Sequence, residues 1–534
     1  MRPEDRDRIQ VEVVSRIVEN HMKRARSAPE GYLETLVNDT LYHEQQRLKR
    51  ESSSKRVRDD KSFYGGIKRR MRHASDHDLR GLIDEMSRHF VREVVGNFDD
   101  RVYKLSTSVI PTGLSLLLNA QSPARLFSLE NLRDGLADHL IVQGEVDHVR
   151  GLLDHGTLVV VPTHSSNLDS PLLGYAAHLM GLPPLLYGAG LNLFTNPMIS
   201  FFMRNLGAYR VDRKKNAGLY KEVLKEYATV AMEMGYHNLF FPGGTRSRSG
   251  AIEQHLKKGL LGTAVRAYVG NLKAKKAKPN IYVAPCTLSY KLVLEAETLI
   301  DDHLKEVGKS RYIISDDEFS RPRRIYNFFS NLVSLDAKIL ITFSPPLDLF
   351  GNPVNRQGES LDPHGRVIDP AGYVSRDGEP VYDDQRDHEY TNEVASEIGR
   401  AYMEHNVIQS TNLVAFSIFN LLSRKNPDLD VYRILRTGGD EPSFTMADVH
   451  VETERVLSTL DEMEAGPRLE RDLRRGDIQE IVGDALKTFA LYHTRPAARR
   501  RGDRVFHDDR NLLLYYGNRL RGYDLGRKLG VNWA

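Results

Sequence analysis

The stretch "LVVVPTHSSNLDSPLL", residues 158–173, places His164 and Asp169 five positions apart, just past a β-branched run. A neutral imidazole can take the proton of an attacking hydroxyl. A carboxylate on its other ring nitrogen fixes the tautomer and stabilises the imidazolium as it forms. His164 and Asp169 are therefore a candidate base and its orienting acid. Spacing alone is weak support, because His73 with Asp78 and His364 with Asp369 share it among the nineteen histidines. Only His164 follows a buried-type strand and precedes a helix, and ligands of α/β sheets bind at the carboxyl ends of strands.

Three further groups follow in order. "NLGAYRVDRKKNAG" offers Arg210 and Arg213 with Gly207, Lys214 and Lys215. "LFFPGGTRSRSG" offers Gly243, Gly244, Thr245, Arg246 and Arg248 directly after a strand, and "YVAPCTLSY" is an apolar strand containing Pro285. Guanidinium forks match phosphate oxygens bidentately, and a glycine-rich turn lets backbone N–H groups approach an anion. Arg246 and Arg248, two apart, point the same way in an extended segment. Each group read singly has an ordinary explanation: an exposed basic turn, a tight βα connection, a core strand. Asp212 can simply pair with a neighbouring cation. Read together, they put a base, its acid and candidate phosphate clamps in one domain. Ser165 and Ser166 lack the Gly-x-Ser-x-Gly elbow of a serine nucleophile, and Cys286 lies inside a strand, where packing is the simpler role.

The elements that must position these residues read as follows. Residues 1–130 form an N-terminal helical region, interrupted by the basic stretch "QRLKRESSSKRVRDDKSFYGGIKRRMRH". That stretch reads as a solvated linker, or alternatively as a surface for anionic lipid headgroups. Residues 131–348 alternate strand and helix patterns, which imply an α/β domain. Within them "GTLVVVPT" reads as a buried strand. "SPLLGYAAHLMG" reads as a helix with Asp169 or Ser170 at its N-cap and Gly181 past its end. Residues 349–390, rich in Gly, Pro and Asp, form a long loop or short hairpins. Residues 391–534 return to a helical pattern.

The bulk numbers bound the partners. Seventy-five basic and 72 acidic residues leave a net charge of +3 over 534 residues, so no whole-protein nucleic-acid footprint is expected. Cys286 is the single cysteine, which excludes an internal disulfide and a cysteine-built zinc site. The N-terminus has no apolar signal-type core, and no run of 18 apolar residues suggests a spanning helix. From Ser170 to Met203 there is no Asp, Glu, Lys or Arg. That segment reads as buried core or as a surface that meets lipid or an acyl chain.

The four ordered blocks resemble the glycerolipid acyltransferase family. His164 and Asp169 match its His-x-x-x-x-Asp block, "GAYRVDR" the second, "GGTRSRSG" the third and "YVAPCTLSY" the fourth. The resemblance is clear over residues 140–345. The extended "RSRSG", the flanking helices and the C-terminal "LLLYYGNRL" are similar to the larger glycerol-3-phosphate branch. One departure stands out: the glutamate that usually opens the third block is Gly243 here. The resemblance implies an acyltransferase-type α/β core with a mixed sheet, flanked by N- and C-terminal helical regions. It implies direct transfer of a fatty acyl group from a thioester to the sn-1 hydroxyl of glycerol-3-phosphate in phospholipid synthesis. His164 and Asp169 would be catalytic, and Arg210, Arg213, Arg246 and Arg248 would meet the acceptor phosphate. Gly243, Gly244 and Thr245 would supply third-block backbone. Acyl-CoA or acyl carrier protein would be the co-substrate, with no resident cofactor or metal. The protein would work as a peripheral protein on the cytoplasmic face of the membrane. Dihydroxyacetone phosphate or lysophosphatidate as acceptor, a thioesterase, and a non-catalytic membrane-surface scaffold are the competing readings.

Overall fold

A computed structural model of the chain describes residues 1–51, 54–72, 74–107, 140–194, 197–307, 338–438, 442–531 and 533. The N-terminal region begins with four helices, α1 (Pro3–Ala25), α2 (Tyr32–Arg50), α3 (Lys55–Met71) and α4 (Asp76–Val94). In α1, Ile9, Val13, Val14, Ile17 and Val18 recur at helical spacing and are all buried. Ser75 and Asp78 close a capping box at the start of α4, which satisfies two orphan donors reciprocally.

The basic stretch is not a solvated linker. Apart from a short break it is the end of α2 and all of α3, because Leu48, Val57, Tyr64 and Ile67 bury one face while most of the cations stay exposed on the other. Arg47 binds Glu44 and Asp60 at 2.7 Å each. Asp60, His89 and Glu93 bring one ligand atom each within 4.8 Å of the others, a cluster that local spacing does not reveal. Arg47 on Asp60 and Lys215 on Glu93 (2.5 Å) already supply it with positive charge.

The largest sheet takes its strands from the middle of the chain: β1 (Leu140–Gly144), β2 (Gly156–Pro162), β3 (Leu186–Gly190), β4 (Ala208–Val211), β5 (Asn238–Leu239), β6 (Asn280–Tyr290) and β7 (Ile339–Phe343). Their order is β1-β7-β6-β2-β5-β3-β4. All neighbours are parallel except β6 and β7, so the sheet is mixed. Val159, Val160 and Val161 of β2 are all buried, the mark of a strand covered on both faces. The connecting helices are α5 (Val146–Gly151), α6 (Asp169–Leu179), α7 (Pro197–Asn205), α8 (Gly218–Glu233), α9 (Leu261–Lys273) and α10 (Ala296–Val307). Gly235, with φ +83°, turns the chain out of α8 where no Cβ would sit comfortably.

The flanking regions share cores with this sheet. Buried residues of α1, α2 and α4 join Leu219, Val223 and Tyr227 of α8 in one apolar cluster. After the sheet, two small hairpins occupy the Gly/Pro-rich stretch, pairing Ser360–Leu361 with Val367–Ile368 and Ser375–Arg376 with Glu379–Pro380. Then come α11 (Asp384–His405), α12 (Ser410–Lys425), α13 (Met446–Asp461), α14 (Ile478–Phe489) and α15 (Arg510–Gly517). Helix α12 is buried nearly throughout, and its Phe416 and Phe419 share a cluster with Leu288 of β6 and Ile341 of β7. Among the described residues, no helix is long and apolar enough to cross a membrane. Of the charge-free segment, Leu172, Leu173 and Ala176 lie in the core, while Leu179 and Phe201 are exposed.

Candidate active site

Strands β6, β2, β5, β3 and β4 all run the same way, so their carboxyl ends line one edge of the sheet. Four of the five deliver a block there: His164 after β2, Arg213 after β4, Gly243–Arg248 after β5, and Tyr290 ending β6. Parallel strands make this convergence unavoidable once the order is set, which is why binding sites collect on that edge.

Asp169 is not the N-cap of α6. The cap position is Leu168, whose backbone is already helical, and no side chain caps the helix. The Asp169 carboxylate turns back instead. Its Oδ2 lies 2.8 Å from His164 Nδ1 and accepts the main-chain N–H groups of Ser165 and Ser166 at 2.7 and 2.9 Å. Its Oδ1 accepts the Tyr290 hydroxyl at 2.5 Å. Every oxygen is thus an acceptor, which suits an ionised carboxylate, and the residue is completely buried. Burial and the Asp169 charge push the Tyr290 phenol well above its ordinary range, so it stays a donor. With Asp169 accepting at Nδ1, that nitrogen carries the proton, and Nε2 keeps the lone pair that can take another. The imidazole stacks on Phe241, with ring centroids 4.1 Å apart.

The carboxylates of the other His-x-x-x-x-Asp matches serve local turns and caps. Asp369 accepts the Ala371 N–H, and Asp78 belongs to the capping box. His73 lies outside the described residues.

Arg213, Arg246 and Arg248 form one electrostatic neighbourhood. Desolvation and then the like charges of Arg246 and Arg248 push the Arg213 guanidinium below its usual range. Arg210 stands in a different one. Desolvation and then Arg204 and Arg56 dominate its environment, and it packs 5.4 Å from the centre of the Phe194 ring. Asp212 accepts the Lys214 main-chain N–H at 2.9 Å, which shapes the turn that presents Arg213. Lys215 leaves this edge altogether and buries its ammonium against Glu44 and Glu93.

The third block is a tight turn. Gly244 has φ +75° and donates its N–H to the Phe241 carbonyl at 3.0 Å, so Gly is the residue that fits without strain. Ser247 N–H donates to the His164 carbonyl at 2.7 Å, which ties the arginine-bearing loop to His164. At the far end of the loop, a Cβ on Gly250 would lie 2.0 Å from the Tyr515 carbonyl oxygen of α15. Asn518 also donates to the Ser249 carbonyl at 2.8 Å. The C-terminal "LLLYYGNRL" thus braces the loop. Thr245 lies half-buried in the turn.

Sequence reasoning missed several polar residues around the dyad. Glu295, five residues beyond β6, accepts the Asn167 N–H at 2.9 Å and the Ser166 hydroxyl at 2.9 Å, and lies 3.6 Å from Arg246. Burial, partly offset by Arg246, pushes its carboxyl up to about 7. Arg519, from the C-terminal stretch, donates to the Leu288 carbonyl at 2.7 Å and to Asn406 at 2.6 Å. Together with Ser165, Tyr290 and Tyr515 it lines a small cavity of about 20 Å³ next to the dyad. Glu253 reaches the His164 main chain from the third block. Tyr290 was visible as the last letter of a quoted strand; the others had no spacing to mark them. Burial pushes the Cys286 thiol up, and the residue is fully enclosed, which removes it as a nucleophile.

Comparison with known proteins bears on this site directly. An acyltransferase family model matches residues 140–289, which carry the first three blocks and all of the fourth but Tyr290. Over that segment the chain is similar to the acyltransferase family. It is also similar to curated proteins named glycerol-3-phosphate acyltransferase. It is 27% identical over 312 residues to one from Pseudomonas paraeruginosa (strain DSM 24068 / PA7), covering 57% of this chain and 34% of that protein. It is 25% identical over 276 residues to one from Pseudomonas putida (strain GB-1), covering 52% and 30%. The chain thus spans about a third of the length of the curated relatives it matches. Within the matched segment, His164 and Asp169 open the first block and Arg246 and Arg248 sit in the third.

Proposed function

We propose that the protein transfers a fatty acyl group from a thioester, acyl-CoA or acyl carrier protein, to the sn-1 hydroxyl of glycerol-3-phosphate. The single observation that carries this reading is the His164–Asp169 contact at 2.8 Å, on the same sheet edge as the Arg213, Arg246 and Arg248 cluster. The acceptor hydroxyl attacks the thioester carbonyl carbon while His164 Nε2 takes its proton. The tetrahedral intermediate collapses, the C–S bond breaks, and the imidazolium returns the proton to the departing thiolate. The products are an ester and a free thiol. Asp169 holds the tautomer and balances the imidazolium charge. A positioned base of this kind contributes about 10²–10⁴-fold.

The three clustered arginines hold the acceptor phosphate, with Glu295 setting the pose of Arg246. Arg210, on its own part of β4, serves the outer reach of the same anionic substrates. The backbone of Gly243, Gly244 and Thr245 lines the approach. The chemistry calls on no resident cofactor or metal. The exposed Leu179 and Phe201 of the charge-free segment fit a peripheral position on the cytoplasmic face of a membrane, where the acyl product is delivered. The test is a panel of acceptors (glycerol-3-phosphate, dihydroxyacetone phosphate, lysophosphatidate and water) against acyl-CoA and acyl carrier protein donors. Acylation of glycerol-3-phosphate in preference to the others is expected. Preferential acylation of another acceptor would reassign the substrate, and free fatty acid without ester would make the protein a thioesterase.

A further inference from the structure

Residue 243 is glycine for a reason other than backbone freedom. Its φ lies outside the left-handed region, unlike that of Gly244. A Cβ built on it would lie 2.6 Å from the carboxyl carbon of Glu253 and 2.6 Å from its Oε1. The room that a side chain at 243 would take is already filled, and a carboxyl group fills it.

That carboxyl group makes one hydrogen bond on the reacting side of the sheet: Oε2 accepts the His164 main-chain N–H at 3.3 Å. The His164 carbonyl accepts from Ser247 N–H at 2.7 Å. Both main-chain groups of the base are therefore held by residues of the loop that follows β5. A buried N–H left without an acceptor costs free energy, so this bond fixes where the histidine leaves its strand. Oε1, shielded from water, has no hydrogen-bond partner among the described residues. Burial, with a further push from the Asp169 charge, raises the carboxyl to about 8.

We infer that Glu253 is a positioning residue for acyl transfer: its carboxyl stands where a residue-243 side chain would lie and, with Ser247, clamps the main chain of His164. The third block has not lost its acid; the acid arrives from residue 253. This role rests on the acyl-transfer reading for its effect on rate, but not for the hydrogen bond itself.

The experiment uses the full chain, labelled with ¹⁵N-histidine, with acyl-CoA and glycerol-3-phosphate as substrates. The His164 amide resonance is assigned by its loss in His164→Ala. Glu253→Ala is expected to move that resonance and to lower kcat by about 10²-fold, the cost of misplacing a catalytic group by ~1 Å, with the acceptor KM unchanged. Glu253→Gln, whose carbonyl still accepts the bond, recovers most of both effects. Gly243→Glu alone is impaired, because two carboxyls compete for one space. Combined with Glu253→Ala it restores the resonance and at least a large part of kcat. Should Glu253→Ala fail to fold, Glu253→Met against Glu253→Gln reads the same bond. An unmoved His164 resonance in Glu253→Ala overturns the clamp whatever the activity, and so does a folded double variant no better than Glu253→Ala. If the wild type acylates no acceptor while the resonance moves as expected, the acyl-transfer reading fails and the clamp stands.

Discussion

Asp169→Asn isolates the charge of the carboxylate from its hydrogen bonds. At Oδ2 three N–H groups converge, from His164, Ser165 and Ser166, so only the amide oxygen fits there. The amide NH₂ must then face the Tyr290 oxygen, which can accept as well as donate. The imidazole keeps its tautomer, and what disappears is the negative charge beside the forming imidazolium. Two unit charges about 4 Å apart at an effective dielectric of about 20 interact by about 4 kcal/mol. At about 1.4 kcal/mol per decade, full loss is worth about 10³-fold in rate. Part of it is recovered by the amide dipole, so a fall in kcat of about 10²–10³-fold is expected. A flipped tautomer would cost more, about 10⁴-fold. Asp169→Ala is the wrong probe, because it strands at least two buried N–H groups at about 1–3 kcal/mol each. That is a large share of a domain's stability of about 5–15 kcal/mol. The assay is steady-state acylation of glycerol-3-phosphate, with thermal unfolding and circular dichroism as controls. A folded Asp169→Asn protein with wild-type kcat would refute the assignment of Asp169 as the partner of the base.

Other perturbations test the surrounding parts. Arg246→Ala should raise the acceptor KM more than it lowers kcat, and Arg246→Lys should not rescue it, since an ammonium cannot reproduce the fork; initial rates against acceptor concentration decide this. Glu253, with its carboxyl pushed up to about 8, and Glu295, at about 7, bind protons in the folded state that they release when unfolded. Their contribution to stability is therefore fully present below the ordinary carboxyl range and is lost as pH rises through about 7 to 8. The melting temperature should accordingly decline across that window, and less steeply in Glu253→Gln; a decline as steep as the wild type's would contradict the placement of that carboxyl. Lys215→Met removes one buried cation from Glu44 and Glu93, which keep Arg47 and Arg56, and should cost about 1–3 kcal/mol in urea unfolding. An unchanged midpoint would show that the N-terminal helices do not depend on this anchor.

The sheet and the dyad were legible because their signals are local. A β-branched run, a break and a helical pattern within 158–181 define where His164 sits. The strands at 280–290 and 339–343 announce themselves in the same way. What local patterns conceal is anything whose partner lies far along the chain. Glu295 meets Arg246, and Arg519 meets Leu288, across separations that no spacing rule encodes. The basic stretch misled for a different physical reason. Its apolar face is narrow, carried by Leu48, Val57, Tyr64 and Ile67, and dense charge swamps the period; those charges become compatible with a packed helix only through Arg47 with Glu44 and Asp60. Asp169 looked like an N-cap because Asp before a helix usually is one. Here three N–H donors on the preceding turn and the base outcompete the helix for its oxygens.

The most direct measurement is the yield of acylated glycerol-3-phosphate, from radiolabelled acceptor and acyl-CoA, for the wild-type chain and for His164→Ala at matched melting temperature. The account predicts ester from the wild type and a loss of at least about 10²-fold in His164→Ala. Equal turnover by the two folded proteins would contradict it.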